Sequence, residues 1–294
     1  MRSVPREIAL LVNPTSGMGR GAQLCEPVAE RLRAHGYDVD IVVGRDADEA
    51  FDQVRNRVAK GVDALVAVGG DGLVNMALQV VAGTATPLGI VPAGSGNDIA
   101  RSLGLPLEDP VAAVDLIATA EPRAVDLGRA LGRWFGAVLS SGFDSMVNER
   151  ANRMSWPRGR SRYNVAIAAE LRTFRPVPFV LEFDGERWET EAMLVAVGNG
   201  VSYGGGMKVW PGARMDDGLF DVTVLGPVSK FEFLRVFPRV YAGTHVNHPA
   251  VTVRRAKCVS LAAAGVTAYA DGERVALLPV TCDVVPGALQ VLAP

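Results

Sequence analysis

The chain has 294 residues, 49% of them hydrophobic and 21% charged, with a formal net charge of −2. That length favours two domains, each able to bury a core without help from disulfides or metals. The charge balance excludes a polybasic nucleic-acid binder, so no nucleic acid is expected among its partners, and the apolar content excludes wholesale disorder.

In chain order, Ile8 to Val12 is a short apolar run stopped by Asn13-Pro14, as in a strand buried on both faces. It is too short for a signal peptide, and no segment reaches the ~20 apolar residues of a membrane span. A helix pattern follows through Leu24, Val28 and Leu32, closed by Gly36. Val39 to Val43 reads as a strand, and Asp46 as the cap of a helix ending at Gly61. Ala64 to Val68 and Leu88 to Val91 are further buried strands. This alternation predicts a doubly wound α/β domain over residues 1–127. Beyond it, apolar stretches crowd together at Phe135–Leu139, Phe179–Phe183, Met193–Val197 and Phe220–Leu225. More follow at Val251–Val253, Val266–Ala270, Thr281–Val285 and Leu289–Leu292. Met146–Phe174 and Ser229–Val240 read as helical. An antiparallel β domain over residues 128–294 is expected. Cys25, Cys258 and Cys282 are scattered with no C-x-x-C, which points to a reducing, cytoplasmic setting.

Three glycine-rich segments each lie between a strand and a helix, the edge where open α/β sheets bind ligands. Asn13-Pro14-Thr15-Ser16-Gly17 continues into Gly19 and Gly21, and reads either as a phosphate cradle or as a plain glycine turn. Gly69-Gly70-Asp71-Gly72-Leu73-Val74-Asn75 surrounds one carboxylate with glycines, so Asp71 is placed to hold a metal-bound water or a triphosphate through Mg²⁺. The plainer alternative is a helix cap. Gly94-Ser95-Gly96-Asn97-Asp98 offers a hydroxyl and loop amides to phosphate, with Asp98 beside Asp71, or else an Asx-type turn.

Together these segments resemble the catalytic domain of diacylglycerol kinases, in the wider group of sphingosine, ceramide and bacterial soluble lipid kinases. The resemblance implies an α/β nucleotide domain, a C-terminal β-sandwich with ATP between them, and a last strand returning to the first domain. It implies Mg–ATP as the phosphoryl donor and a lipid alcohol at the membrane surface, most simply diacylglycerol, as acceptor. Bacterial relatives suggest a homodimer. Carried over, the resemblance makes Glu273 the general base with Asp271 nearby, and adds Asp126 to a carboxylate network with Asp71 and Asp98. It makes the Arg214 and Leu219 carbonyls and the Asp217 carboxylate the ligands of a structural Mg²⁺. Leu73 and Gly44 stand where the family often has Thr, which weakens the contacts to base and ribose. The Gly-Gly-Asp-Gly run is also similar to NAD kinases, and a lipid- or nucleotide-binding protein without turnover is the third reading. Arg150, Arg153, Arg158, Arg160 and Arg162 surround Trp156, either a lipid-docking face or a solvated one.

Overall fold

The buried strands predicted from the first 127 residues form a parallel sheet in the computed structural model, which describes residues 6–157 and 160–294. The chain divides into two units. One holds residues up to Leu127 together with Pro286–Pro294, and the other Gly128–Val285.

In the first unit the elements are β1 (Glu7–Val12), α1 (Ser16–Ala34), β2 (Asp38–Val42), α2 (Ala47–Lys60) and β3 (Ala64–Gly69). They continue with α3 (Asp71–Val81), β4 (Leu88–Pro92), α4 (Asp98–Ser102), α5 (Pro110–Thr119) and the start of β5 (Arg123–Ala130). The strands pair in the order β2-β1-β3-β4, all parallel. Ile8, Leu10, Val66 and Val68 pack against Val28 and Leu32 of α1 and Val114 and Ile117 of α5. The alternate residues Ala9, Leu11, Leu65 and Ala67 are just as buried, so both faces are covered. Asp46 accepts the Glu49 amide at 2.9 Å and Gly61 turns left-handed, so α2 is capped at both ends as expected. The order reverses between β1 and β3, the switch point at which such sheets open a crevice.

The second unit contains β6 (Arg133–Phe135), β7 (Val138–Gly142), α6 (Phe143–Arg153), α7 (Arg160–Thr173), β8 (Val177–Phe183), β9 (Glu186–Ala192) and β10 (Leu194–Gly198). After these come β11 (Phe220–Leu225), α8 (Lys230–Val236), α9 (Arg239–Ala242), β12 (Val251–Ala256), β13 (Cys258–Ala262), β14 (Thr267–Ala270), β15 (Glu273–Leu277) and β16 (Val280–Val291). An antiparallel sheet runs β12-β11-β10-β7-β14-β15. Against it lie β8, β9, β13 and the first half of β16. Leu139, Val197 and Val222 meet Phe179, Leu181 and Leu261 in the core between them, where Phe135 stacks on Phe220 at 5.7 Å. This is a β-sandwich.

β16 ends in the first unit, where Val291 pairs with Leu88 and the Leu292 amide donates to the Leu88 carbonyl at 2.9 Å. The two short strands expected at Thr281–Val285 and Leu289–Leu292 are therefore one. Other elements are divided where one was expected. Phe135–Leu139 is two strands, parted at Gly136-Ala137. Ser229–Val240 is two helices, parted before Pro238, which has no amide to continue the first. α1 starts at Ser16, eight residues before its apolar pattern.

Candidate functional site

In the first unit the glycine loops touch one another through their backbones. A Cβ on Gly94 would lie 2.4 Å from the Gly70 Cα, and one on Gly17 would lie 2.2 Å from the Ala93 carbonyl oxygen. Gly17 also has φ +58°, so it answers to both space and conformation. The Asp71 carboxylate locks the assembly: one oxygen accepts the Asn97 amide at 2.8 Å and the other the Asp98 amide at 2.7 Å. Asn97 adopts a left-handed backbone and clamps Gly94 reciprocally. Its Oδ1 accepts the Gly94 amide and its Nδ2 donates to the Gly94 carbonyl, each at 3.0 Å. Asn13 shapes the first loop by accepting the Thr15 amide at 3.0 Å. A Cβ on Gly96 would meet an Asp71 oxygen at 2.4 Å and an Asp98 oxygen at 3.5 Å, so the two carboxylates are neighbours. Ser16 joins the group, its hydroxyl 3.5 Å from where a Gly70 Cβ would sit, and Ser95 lies within the third loop.

Gly72, like Gly19, differs from Gly17, Gly70, Gly94 and Gly96, because a Cβ there would meet no atom of the described residues within 4 Å. Among the described residues its smallness serves no close approach. Sequence reasoning missed Arg101, one turn into α4. It donates to the Gly96 carbonyl at 3.2 Å and holds its Nε 4.0 Å from Asp98, a cation resting on the third loop. Its signal in the sequence is the i, i+3 spacing from Asp98.

Several expected site residues also have duties within the fold. A Gly44 Cβ would collide with the Ala50 nitrogen at 2.5 Å, so this glycine admits the start of α2. Leu73 and Val74 are buried, and their amides donate to the Gly70 carbonyl at 3.0 and 3.1 Å. Asn75 is buried and accepts from Gln79. Asp126 is buried and accepts the Gly287 amide at 2.8 Å, where β16 takes a left-handed backbone after Pro286.

In the second unit the Asp271 carboxylate accepts three backbone amides, those of Gly136 (2.7 Å), Ala137 (2.9 Å) and Val138 (3.0 Å). Those are the residues that part β6 from β7, so the division is made by a side chain more than a hundred residues away in sequence. Asp271 sits at the β14–β15 turn with φ +48°. Glu273 follows, paired with Ala270 and exposed to solvent. Asp144, also missed, lies half-buried in the first turn of α6 and accepts the Ser140 hydroxyl at 2.5 Å; loss of solvent raises its carboxyl above the ordinary value. Gly198 makes room for the Trp210 ring, which places that residue in the core. Arg150 pairs with Glu170 and Arg153 with Glu149, while Trp156 stands 81% exposed. Arg158 and the side chain of Arg160 lie outside the described residues.

The Asp217 loop does not suit a divalent cation in this arrangement. One Asp217 oxygen accepts the Leu219 amide at 3.1 Å and the other holds the Arg255 guanidinium, which also reaches Asp221 at 3.4 Å. Arg214 pairs with Asp216 at 3.0 Å. A positive charge thus takes one of the Asp217 oxygens a magnesium ion would need. Each Asp71 oxygen accepts one backbone amide and carries a second lone pair, so Asp71 with its neighbour Asp98 fits the magnesium that accompanies a nucleotide, which takes one or two carboxylates plus phosphate oxygens.

An α/β sheet with loops of this kind, followed by an antiparallel sandwich, is the build of a class of nucleotide-dependent kinases. An NAD kinase from Archaeoglobus fulgidus, solved in complex with ATP, shares the fold at a TM-score of 0.54 and 13% identity, over 98% of this chain and 93% of that one. A diacylglycerol kinase structure from Bacillus anthracis is nearer, at a TM-score of 0.76 and 21% identity, over 100% and 98%. Residues 7–130 match the diacylglycerol kinase catalytic domain, and residues 137–293 the YegS C-terminal NAD kinase beta sandwich-like domain. A diacylglycerol kinase of Mycobacterium tuberculosis is 45% identical, covering 98% of this chain and 95% of the relative. One from Bacillus subtilis is 28% identical over 92% and 90%. The chain belongs to the diacylglycerol kinase catalytic-domain family.

Proposed function

We propose that this protein is a lipid kinase that transfers the γ-phosphoryl group of Mg–ATP to the hydroxyl of diacylglycerol, giving phosphatidic acid. The full-length 45% identity to a diacylglycerol kinase carries the reading. The Asp71-locked glycine loops support it, because preset backbone geometry is what phosphate positioning requires. Phosphoryl transfer of this type passes through a loose transition state, in which positioning and charge neutralisation do most of the work. In this reading the loops of the first unit orient the triphosphate, and Arg101 and the neighbouring helix start offset its charge. Magnesium brought in with ATP, held at Asp71 and Asp98, would screen the phosphate oxygens. Glu273 takes the proton of the lipid hydroxyl. Asp271 acts by fixing the turn that presents Glu273. Action at a membrane surface and a homodimeric state belong to the same reading.

The fold shared with an NAD kinase favours one alternative, phosphorylation of NAD. The deciding experiment offers diacylglycerol, a sphingoid base and NAD side by side with labelled ATP and Mg²⁺, read by mass spectrometry. Labelled phosphatidic acid as the main product supports the proposal. Labelled NADP without lipid product overturns it.

A further inference from the structure

α8 carries an inverted pattern. Its Phe233 faces inward, edge-on to Phe143 at 5.2 Å and stacked on Phe237 at 5.6 Å. Its other apolar residues face out: Phe231 is 78% exposed and Leu234 59%, three residues apart and so on one helix face. Tyr241 on α9 is 49% exposed, its ring edge against Phe237. Exposed aromatic residues grouped in this way mark a contact surface. The flanks are basic. Lys230, Arg235 and Arg239 are all exposed, and the Lys230 ammonium donates to the Arg172 carbonyl at the end of α7, which brings Arg172 alongside. The acid of this segment, Glu232, is paired with His248 at 3.2 Å. Among the described residues no acidic side chain pairs with Arg235 or Arg239.

We propose that this α8–α9 face docks on an anionic lipid bilayer, with Phe231, Leu234 and Tyr241 entering the interface and Lys230, Arg235 and Arg239 meeting the headgroups. Charge complementarity selects this occupant, since an apolar tip ringed by cations is the pattern of an interfacial helix. The segment around Trp156 is the weaker candidate, because its Arg150 and Arg153 are neutralised by acids of the same unit. The inference rests on the lipid-acceptor reading and adds to it where the enzyme meets its substrate.

The test is co-sedimentation of the full chain with phosphatidylcholine vesicles, with and without phosphatidylglycerol. The wild type should bind the anionic vesicles at least tenfold better than the neutral ones. Phe231→Glu with Leu234→Glu should lower binding tenfold or more, and Arg235→Glu with Arg239→Glu should abolish the preference for anionic lipid. Both should keep the melting temperature and the activity toward short-chain diacylglycerol dispersed in detergent. If the apolar double variant fails to fold, Phe231→Ser makes the same test at one largely exposed position. Unchanged vesicle binding in both variants overturns the proposal. So does a loss of oligomers in light scattering with vesicle binding intact, since the face would then be a contact between copies. If no dispersion yields phosphorylated lipid, yet binding still depends on these residues, the docking surface stands and the acceptor reading falls.

Discussion

Glycines 72 and 94 stand in the same motif set and do opposite things. Gly94 lies against the Gly70 backbone, so Gly94→Ala must push two loops apart, at a cost of about 1–3 kcal/mol and with loss of ATP affinity. Gly72 opens α3 with empty space where a Cβ would be. Gly72→Ala should leave the melting temperature unchanged or raise it, by up to ~1 kcal/mol of helix propensity, while the KM for ATP rises tenfold or more. An unchanged KM would show that no phosphate passes that point. A similar contrast separates Asp271 from Glu273. Asp271→Ala strands three backbone amides and should cost about 2–4 kcal/mol in urea unfolding. Glu273→Gln alters an exposed side chain and should leave stability within about 0.5 kcal/mol while lowering kcat ~10²–10⁴-fold. A nearly unchanged rate removes it as the base. The sequence made the loops legible because glycines between a strand and a helix are punctuation with a physical cause. It could not show which glycines face a neighbour and which face open space, because that depends on Ala93, Gly70 and Ala50 arriving from elsewhere in the chain.

Among the elements, those whose pattern is local were readable and those held by distant side chains were not. The strands β1, β3 and β4 are apolar runs, and α2 carries its own caps. β9 (ERWETEA) has too little apolar content to read as a strand, and exists because β8 pairs with it along its length. α6 illustrates the same limit, because its Asp144 reads as an ordinary first-turn acid yet is half-buried against Ser140. With its folded pKa raised above the unfolded value of about 3.9, the folded state keeps a proton that the unfolded state releases. Wild-type stability relative to Asp144→Asn should therefore fall as the pH rises above about 4, and level off beyond the folded pKa. Melting temperatures measured across that range check it, and a constant difference contradicts it. The Asp217 loop makes a second prediction. With Arg255 already on its carboxylates, the nucleotide-free protein should melt at the same temperature in EDTA and in Mg²⁺. Arg255→Ala should create a Mg²⁺-dependent rise. A wild type destabilised by EDTA would restore the metal site.

For the whole molecule, the informative segment is the last nine residues, which belong to the first unit although the chain reaches them through the second. Among the described residues no helix is long and apolar enough to cross a membrane. Ala288, Leu289, Val291, Leu292 and Ala293 are all buried, and Leu292 sits in the core with Ile8, Leu10 and Val28. Removing residues 286–294 forfeits the burial of three large aliphatic side chains, about 5–8 kcal/mol at the usual value per side chain. It also takes away the Gly287 amide from Asp126, leaving a buried carboxylate without that donor. Losses of that size match the whole stability of an ordinary domain, ~5–15 kcal/mol. The first unit should therefore fail to fold while the sandwich, whose β16 pairing with β13 ends before the cut, remains. The two outcomes can be told apart because all four tryptophans, Trp134, Trp156, Trp188 and Trp210, lie in the second unit. The truncated chain should keep native tryptophan emission, lose the helical circular dichroism of α1 to α5, and lose ATP binding. If emission and helicity collapse together, the sandwich depends on the first unit for its own stability. If neither changes, the returning strand contributes little to the nucleotide unit.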